Sequence, residues 1–439
     1  MGQRIIVDPI TRIEGHLKIE VEIENGKVKD AWSSGTMFRG IEIMLQGRDP
    51  RDAHHFVQRS CGVCTYIHAL SSVRAVEDAC KITIPENARI IRNLLHGAQY
   101  QHDHIVHFYH LHALDWVDIV SGLSADPVKT AKLSENVSGR PQSAAYFKTV
   151  QDKLKAFVNS GQLGPFNNAY WGHSAYKLPA EANLMASSHY LEAIALQAKA
   201  ARMHAIFGGK NPHPQSLVVG GVTCVGDLTP DRIDEFIDIW KETKSFVDEV
   251  YLPDLLAVAS FYKDWGGIGG NNDTFLAYGD FPQKGIDDDK LLPEGVLAGN
   301  LTPIALDANM ITEDVTRGWY EKGSPKHPYD GETKPIKGEI TYNTEDKYTW
   351  MKAPRYNGKS AEVGPLARVL VAYTKGHKEI KALVDHTLKT LNVGVDALFS
   401  TLGRTAARGI ETVVVGNAME GWLGKLKSNI ASGDKKTYQ

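Results

Sequence analysis

The sequence of residues 59–68 is Arg59-Ser60-Cys61-Gly62-Val63-Cys64-Thr65-Tyr66-Ile67-His68, and it contains two of the chain's only four cysteines. Two thiolates spaced C-x-x-C, followed one helical turn later by a histidine, are ligands that a soft transition metal prefers. A glycine between the cysteines lets both sulfurs turn toward one point. Because Cys80 and Cys224 stand alone, the remaining ligands of such a site come from elsewhere.

A C-x-x-C motif has other interpretations. It can be a thioredoxin-like redox pair, a remnant half-site, or two buried small apolar residues. A redox pair would follow a β-strand in a βαβ unit, whereas residues 50–59 predict the start of a short polar helix. On the motif alone, the metal-binding and structural interpretations both stay open.

Charge and hydropathy argue against a nucleic-acid-binding protein and against a membrane-spanning one. A chain of 439 residues with a net charge of -3 has no basic surface pattern for nucleic acid. No uninterrupted apolar run reaches the ~18 residues of a membrane span, and the amino terminus lacks the features of a secretory signal. Four cysteines do not make a disulfide scaffold, so the thiols are expected to be reduced or metal-bound.

The hydrophobic pattern predicts an α+β protein that is predominantly helical. Apolar and polar residues alternate over 17–24, and Asn25-Gly26 then predicts the turn of a β-hairpin. Helical spacing covers residues 52–80, 86–121 and 179–207, and Thr229-Pro230 predicts a further helix start.

The second half of the chain begins with an irregular stretch. Residues 264–362 are rich in Gly, Pro, Asp and Asn, with short β-like pieces such as Gly338–Tyr342. Helix returns at Gly364-Pro365 and runs to about residue 430, with predicted breaks at Gly394, Gly409 and Gly416. We therefore expect a central bundle of long helices with an amino-terminal β region and an irregular αβ insertion. The predicted segments are 1–48, an amino-terminal β region; 49–263, a helical core; 264–363, the insertion; and 364–439, carboxy-terminal helices.

Two short motifs near the amino terminus place carboxylates beside glycines. Glu14, in Arg12-Ile-Glu-Gly-His16, is either a proton relay or a surface residue beside a turn. Glu42, in Phe38-Arg-Gly-Ile-Glu42, is either part of an ion pair or a ligand of a hard cation such as Mg²⁺.

Residues 96–112 hold six of the 17 histidines, together with Asp103. On a helix, His104 and His107 share one side while His102 and His110 point elsewhere, so no face with three histidines emerges. Bound metal and buried, hydrogen-bonded histidines are both open interpretations. The segment 208–215 lacks the order of a phosphate-binding loop and contains two prolines, which excludes nucleotide binding there.

Six motifs in order closely resemble the large subunit of [NiFe] hydrogenases, particularly the respiratory uptake group. The resemblance runs from residue 5 to the last residue. The motifs are Asp8-Pro-Ile-Thr-Arg-Ile-Glu14-Gly-His16, Phe38-Arg-Gly-Ile-Glu42, Arg59-x-Cys61-Gly-x-Cys64-x-x-x-His68, His102-Asp-His104, Gly208-Gly-Lys-Asn-Pro-His213-Pro-Gln and Glu362-Val-Gly-Pro-Leu-Ala-Arg368.

The resemblance implies a Ni-Fe center whose iron also carries CO and cyanide. It implies that Cys61 is a terminal thiolate on nickel, that Cys64 bridges nickel and iron, and that His68 donates a hydrogen bond to the Cys64 sulfur. Glu14 matches the first proton relay, and Asp103 matches a carboxylate above the metals.

The resemblance also implies a Mg²⁺ ligand, a partner subunit, a reaction and a location. Glu42 matches a Mg²⁺ ligand, and His213 lies in a segment that faces the small subunit of the family. The implied reaction is heterolytic, reversible cleavage of H2 to protons and electrons. The chain has no cysteines left for iron-sulfur clusters, so these belong to a small subunit, in a heterodimer or a dimer of heterodimers. The resemblance implies the periplasmic face of a membrane, reached through partners, with the cytoplasm as the alternative.

The sequence departs from the family pattern at its end. In the family, a second C-x-x-C followed by a histidine supplies the remaining thiolates and another Mg²⁺ ligand, and the 439 residues contain no such segment. We therefore expect a separate carboxy-terminal peptide that docks here, a truncated product, or a sequence that continues further. Two thiolates alone are not expected to retain nickel and iron.

Two other classes of function stay open. One is a subunit related to the quinone-binding subunit of respiratory complex I, although the retained Cys61 and Cys64 argue against it. The other is a truncated or metal-free chain with a structural or assembly role. Substitution of Cys64 distinguishes catalysis from a scaffold role.

Overall fold

A three-stranded antiparallel sheet opens the fold. The computed structural model describes residues 2–270, 273–284, 289–299, 301–321 and 323–439. The sheet contains, in spatial order, β1 (Gln3–Val7), β2 (Leu17–Glu24) and β3 (Lys27–Gly35). Asn25 and Gly26 join β2 to β3 with φ values of 53° and 74°. Because a two-residue turn with two positive φ values matches the twist of its strands, the predicted hairpin is confirmed.

Helices form most of the rest, so the predicted helix-rich α+β class is confirmed. Among the described residues, no helix combines the length and apolar content needed to cross a membrane. Short π-helical segments, His107–His112 and Val247–Tyr251, continue the fourth and ninth helices. The helices are α1 (Ile41–Met44), α2 (Ala53–Val57), α3 (Thr65–Cys80), α4 (Glu86–Val106), α5 (Ile119–Gly122), α6 (Pro127–Val137), α7 (Ala144–Asn159), α8 (Ala180–Gly208), α9 (Pro230–Phe246), α10 (Leu252–Phe261), α11 (Pro365–Thr374), α12 (Lys378–Leu391) and α13 (Thr401–Ala431).

The ends of α8 and α9 follow local sequence signals. Pro179 precedes α8, and Gly209 ends it in the left-handed conformation, with φ 81°. Thr229 caps α9, because its side chain accepts a hydrogen bond from the Arg232 N–H group. Both predicted helices are therefore confirmed, and β4 (Leu217–Val218) and β5 (Gly221–Val222) form a hairpin between them.

Helix α4 lies at the center of the core and packs against α8 and α13. One apolar cluster surrounds α3, α4, α9, α11 and α13, and a second lies between α5, α7, α8 and α10. Ile90, Ile91 and Leu94 of α4 have no exposed surface. Each such side chain contributes about 1.5–3 kcal/mol by burial, so α4 is a rigid support for side chains at its far end.

Two predicted helix breaks are wrong. Helix α13 passes through Gly409 and Gly416 without interruption, whereas Gly394 does lie between α12 and α13. A Cβ atom at residue 409 would lie 2.4 Å from Leu255 Cδ1, and one at residue 416 would lie 2.4 Å from Gln101 Nε2. These glycines allow neighbouring helices to approach α13 closely, and tertiary packing outweighs their low helix propensity.

Residues 264–363 contain short strands, as expected, but Gly338–Tyr342 is not one of them. There the Thr341 carbonyl accepts a hydrogen bond from the Trp319 indole at 3.1 Å. A side chain therefore occupies an acceptor that a neighbouring strand would otherwise bind. The strands are β6 (Thr274–Ala277), β7 (Asp280–Pro282), β8 (Lys290–Leu292), β9 (Gly295–Ala298), β10 (Thr302–Ile304), β11 (Ile311–Asp314) and β12 (Ala353–Tyr356), all in antiparallel pairs.

The later part of this region packs on the amino-terminal sheet. The Phe38 and Trp350 rings stack with centroids 4.4 Å apart, and the Trp350 N–H group donates to the Gly35 carbonyl at 2.8 Å. The buried carboxylate of Glu20 binds the Tyr342 hydroxyl. These contacts hold the amino-terminal sheet and the later part of the insertion together. The predicted segment boundaries stay a prediction.

Candidate metal center

The C-x-x-C loop lies between a 3-10 turn, Gln58–Ser60, and the start of α3. The Cys64 N–H group donates to Cys61 Sγ at 3.1 Å, which folds the loop so that both sulfurs face the same way. Cys61 is buried and Cys64 is half-buried. No strand of a βαβ unit precedes the loop in the described chain, so the thioredoxin-like interpretation loses its structural context.

His68 completes a cluster of three potential ligands. One turn of α3 places its Nε2 atom 3.2 Å from Cys64 Sγ, and the two atoms share a hydrogen bond. The ligand atoms of Cys61, Cys64 and His68 all lie within 4.8 Å of one another. Two sulfurs and an imidazole nitrogen at this separation suit a soft transition metal, in agreement with the spacing of the motif.

Burial controls the protonation of these groups. It raises the pKa of the Cys64 thiol, and the neighbouring Cys61 and the charge of Asp103 raise it further. Burial lowers the pKa of His68, although the charge of Glu14 acts in the opposite direction. Without metal the center therefore holds protonated Cys64 and neutral His68, and a metal ion that binds as a thiolate complex displaces the proton.

Glu14 lies in the turn between β1 and β2, and its side chain is exposed. Its charge nevertheless acts on the His68 ring. The structure therefore brings Glu14 close enough to act on His68, but in an exposed position rather than the partly buried one that a relay would favour. Its role in proton transfer stays a prediction.

Asp103 approaches the cluster from α4. Its Oδ2 atom accepts a hydrogen bond from Gln99 Nε2, and Oδ1 pairs with His102 Nδ1, each at 2.8 Å. Its charge contributes to the raised pKa of Cys64, which places the carboxylate near the sulfurs. Gln99 was not predicted from the sequence, although its position four residues before Asp103 on one helix signals a contact.

Glu42 lies on α1, and its side chain is exposed. Its charge acts on Tyr320: burial, then the charges of Glu42 and Glu313, raise the pKa of this tyrosine to about 12. Within the described ranges, Glu42 joins no cluster of three or more metal-ligating side chains. Its assignment to Mg²⁺ stays a prediction.

His213 lies in the loop after α8, close to the start of α3. Its Nδ1 atom shares a hydrogen bond of 2.5 Å with the Thr65 hydroxyl, one residue beyond Cys64. Asn211 Nδ2 donates to His204 Nδ1 at 2.5 Å and anchors the same loop. The structure therefore places His213 beside the cysteine motif, and its contact with a partner subunit stays a prediction.

The histidines of residues 96–112 form no group of three with metal-ligand spacing among the described residues. His96 stacks on Phe281, and His104 Nε2 binds the buried Glu411 at 2.7 Å. Among the residues that the structure describes, Cys61, Cys64 and His68 are the group of three with metal-ligand spacing. The buried, hydrogen-bonded interpretation therefore describes His104, whereas His96 is buried against Phe281 with its Nδ1 atom 3.4 Å from Asp280 Oδ2.

A helical core that presents two thiols and an imidazole in one small cluster defines a transition-metal protein with cysteine ligands. A model of the nickel-dependent hydrogenase family matches residues 39–439, and a HoxL-like model matches residues 4–34. The chain belongs to the nickel-dependent hydrogenases, as a large subunit and an oxidoreductase acting on H2.

Comparisons with individual proteins agree with this assignment. The chain is 50% identical to the uptake hydrogenase large subunit of Rhizobium leguminosarum bv. viciae and 44% identical to the hydrogenase-1 large chain of Escherichia coli K12. Each alignment covers 99% of this chain and 79% of the relative. The Ni-Fe-Se hydrogenase of D. vulgaris Hildenborough matches at a TM-score of 0.79 and 34% identity, over 97% of this chain and 80% of that structure.

Proposed function

We propose that this chain oxidises H2 at a Ni-Fe center to which Cys61 and Cys64 contribute two of the thiolates. The observation that carries the proposal is the cluster of both sulfurs and His68 Nε2 within 4.8 Å. The donors fit the group, because thiolates are the soft ligands that nickel and iron accept and the loop already turns both sulfurs inward. The Cys61 and Cys64 sulfurs would hold the two metals.

The surrounding residues orient the cysteine sulfurs and transfer protons. A Ni-Fe center with CO and cyanide on iron would, when bound, supply an open metal position for polarising H2. His68 donates its Nε2–H group to the Cys64 sulfur once that sulfur is a thiolate, which fixes the direction of the sulfur. Glu14, whose charge acts on His68, would take a proton from the cluster, and Asp103 would supply a second carboxylate near the Cys64 sulfur.

The two electrons leave through iron-sulfur clusters of a small subunit that docks beside His213, in a heterodimer. Cys80, at the end of α3, is exposed, and Cys224 is buried apart from the cluster, so neither joins the center. Glu42 binds Mg²⁺, and the heterodimer works at the periplasmic face of a membrane.

The experiment is Cys64→Ser, assayed in the heterodimer for H2-dependent reduction of a dye and for nickel content. Cys80→Ser is the matched control, because Cys80 is the last residue of the helix that Cys64 precedes, and it is exposed. We expect Cys64→Ser to lose nickel and activity while the complex still assembles, and Cys80→Ser to keep both. Normal activity in Cys64→Ser would contradict catalysis and support the scaffold alternative.

A further inference from the structure

Gln99, on α4, is a buried amide that contacts three parts of the candidate metal center. Its side chain is 4% exposed. Oε1 accepts a hydrogen bond from the Ile67 N–H group at 3.2 Å, and Nε2 donates to the Val63 carbonyl at 3.3 Å and to Asp103 Oδ2 at 2.8 Å. A carboxamide nitrogen carries two hydrogens, so both acceptors are satisfied at once. One side chain therefore joins the cysteine loop, α3 and Asp103.

The bond to Ile67 takes over a task that the N-cap residue of a helix usually performs. The first N–H groups of a helix lack partners within it, and the N-cap side chain ordinarily accepts from the second or third of them. Cys64 is the N-cap residue of α3, and its side chain makes no such bond. Ile67 is the third helical residue. Because Gln99 accepts its N–H group, the Cys64 sulfur stays directed toward His68 and Cys61.

The bond to Asp103 restrains the carboxylate as well. With Oδ2 held by Gln99 and Oδ1 by His102 Nδ1, each at 2.8 Å, both oxygens have a partner and the group has one orientation. The Val63 carbonyl, between the two cysteines, receives the other hydrogen of the same amide. The distance between the cysteine loop and Asp103 is therefore set by one rigid carboxamide.

We propose that Gln99 is a positioning residue of the metal center. Its carboxamide caps α3 in place of Cys64 and couples the Cys61–Cys64 loop to Asp103. The role in metal binding rests on the proposed function, whereas the capping role is a property of the chain with or without metal.

Gln99→Met and Gln101→Met form a matched pair of variants. Both glutamines lie on α4 and are buried, and both substitutions place a flexible apolar side chain of similar length. Gln101 differs in that neither its Nε2 nor its Oε1 atom has a hydrogen-bond partner in the part of the chain that the structure describes. Gln101→Met therefore removes a buried amide from the same helix without removing a contact to the center.

The first measurement is amide hydrogen exchange in the peptide that covers residues 61–70 of the full chain, without metal. We expect Gln99→Met to speed exchange at the first turn of α3 about fivefold, the effect of one lost hydrogen bond. Gln101→Met should leave it unchanged. Gln99→Glu keeps the acceptor for the Ile67 N–H group, so exchange should stay slow in this variant. It serves as the test if Gln99→Met folds poorly. Equal exchange in wild type and Gln99→Met overturns the proposal.

The second measurement is nickel loss from the heterodimer to a chelator. We expect both Gln99→Met and Gln99→Glu to lose nickel about tenfold faster than wild type, because each lacks the N–H donors to Val63 and Asp103. Gln101→Met should lose nickel at the wild-type rate. A tenfold faster loss in this control would show that Gln99 acts only through general packing of α4, which overturns its positioning role. A wild-type heterodimer without nickel contradicts the proposed function, while hydrogen exchange still decides whether Gln99 caps α3.

Discussion

Cys64 Sγ and His68 Nε2 lie 3.2 Å apart and share a hydrogen bond. The bond joins the N-cap residue of α3 to the residue one turn into the helix, so helix geometry itself sets the distance. Any disturbance of the first turn of α3 therefore moves the nitrogen relative to the sulfur. The proposed metal center depends on a short stretch of regular backbone.

Removal of the His68 ring tests the value of this bond. We expect His68→Ala to lower H2 oxidation at least tenfold, because residues that orient a metal ligand typically have effects of this size. The melting temperature should fall by a few degrees at most, since His68 is only half-buried. His386→Ala, at an exposed position of α12, is the control. Full activity in His68→Ala would remove the ring from the mechanism.

Glu20 joins the amino-terminal sheet to the insertion and gives stability a pH dependence. Its side chain is 2% exposed and binds Arg4, Lys18 and Tyr342. Burial alone would raise its pKa, but these hydrogen bonds lower the pKa to about 2. Because the folded-state pKa lies below the unfolded value of 4.5, the contribution is complete above pH 4.5 and disappears as the pH falls toward 2.

We therefore expect Glu20→Gln to lower the free energy of unfolding by about 2 kcal/mol at pH 7. Urea unfolding at pH 7 and near pH 3 measures it, and the difference from wild type should shrink at the lower pH. Glu24→Gln, at an exposed position of the same strand, should change stability little. A difference that stays constant with pH would contradict the ionic role of Glu20.

Glu411 is the center of a buried ionic cluster on α13. It has no exposed surface, and Arg368 donates to its two oxygens at 2.9 and 2.7 Å while His104 binds Oε1 at 2.7 Å. We expect Glu411→Gln to cost about 3 kcal/mol, since it leaves the Arg368 charge without its partner. Glu420→Gln, exposed on the same helix, is the control. In the double variant with Arg368→Met, the loss should be smaller than the sum of the single losses.

Substitution of Gly403 and of Gly421, both in α13, should change stability in opposite directions. A Cβ atom at residue 403 would lie 2.1 Å from the backbone oxygen of Leu398, which cannot move aside, whereas one at residue 421 meets nothing within 4 Å. We expect Gly403→Ala to lower stability by roughly 2–3 kcal/mol. Gly421→Ala should raise it by about 0.5–1 kcal/mol through helix propensity. Thermal unfolding measures both, and stabilisation by Gly403→Ala would contradict the close approach of Gly403 to the Leu398 carbonyl.

Local patterns predicted the elements that depend on neighbouring residues. Asn25-Gly26 predicted the first hairpin, and Thr229-Pro230 predicted the start of α9, since turn and cap chemistry acts over a few residues. The same kind of reasoning failed at Gly409 and Gly416. Whether a glycine ends a helix or admits a neighbour depends on what packs against it, and Leu255 and Gln101 come from distant parts of the chain.

For the site, sequence by itself determined the cluster of Cys61, Cys64 and His68, because its spacing is that of one loop and one helical turn. The family followed from motifs distributed over the whole chain, and the comparisons confirm it. Only tertiary structure decided which side chains surround that cluster. Gln99 and His213 reach it from other helices and loops, and their contacts arise from the packing of α4 and α8 around α3. Such contacts between distant residues depend on the packed core, and spacing along the chain does not encode them.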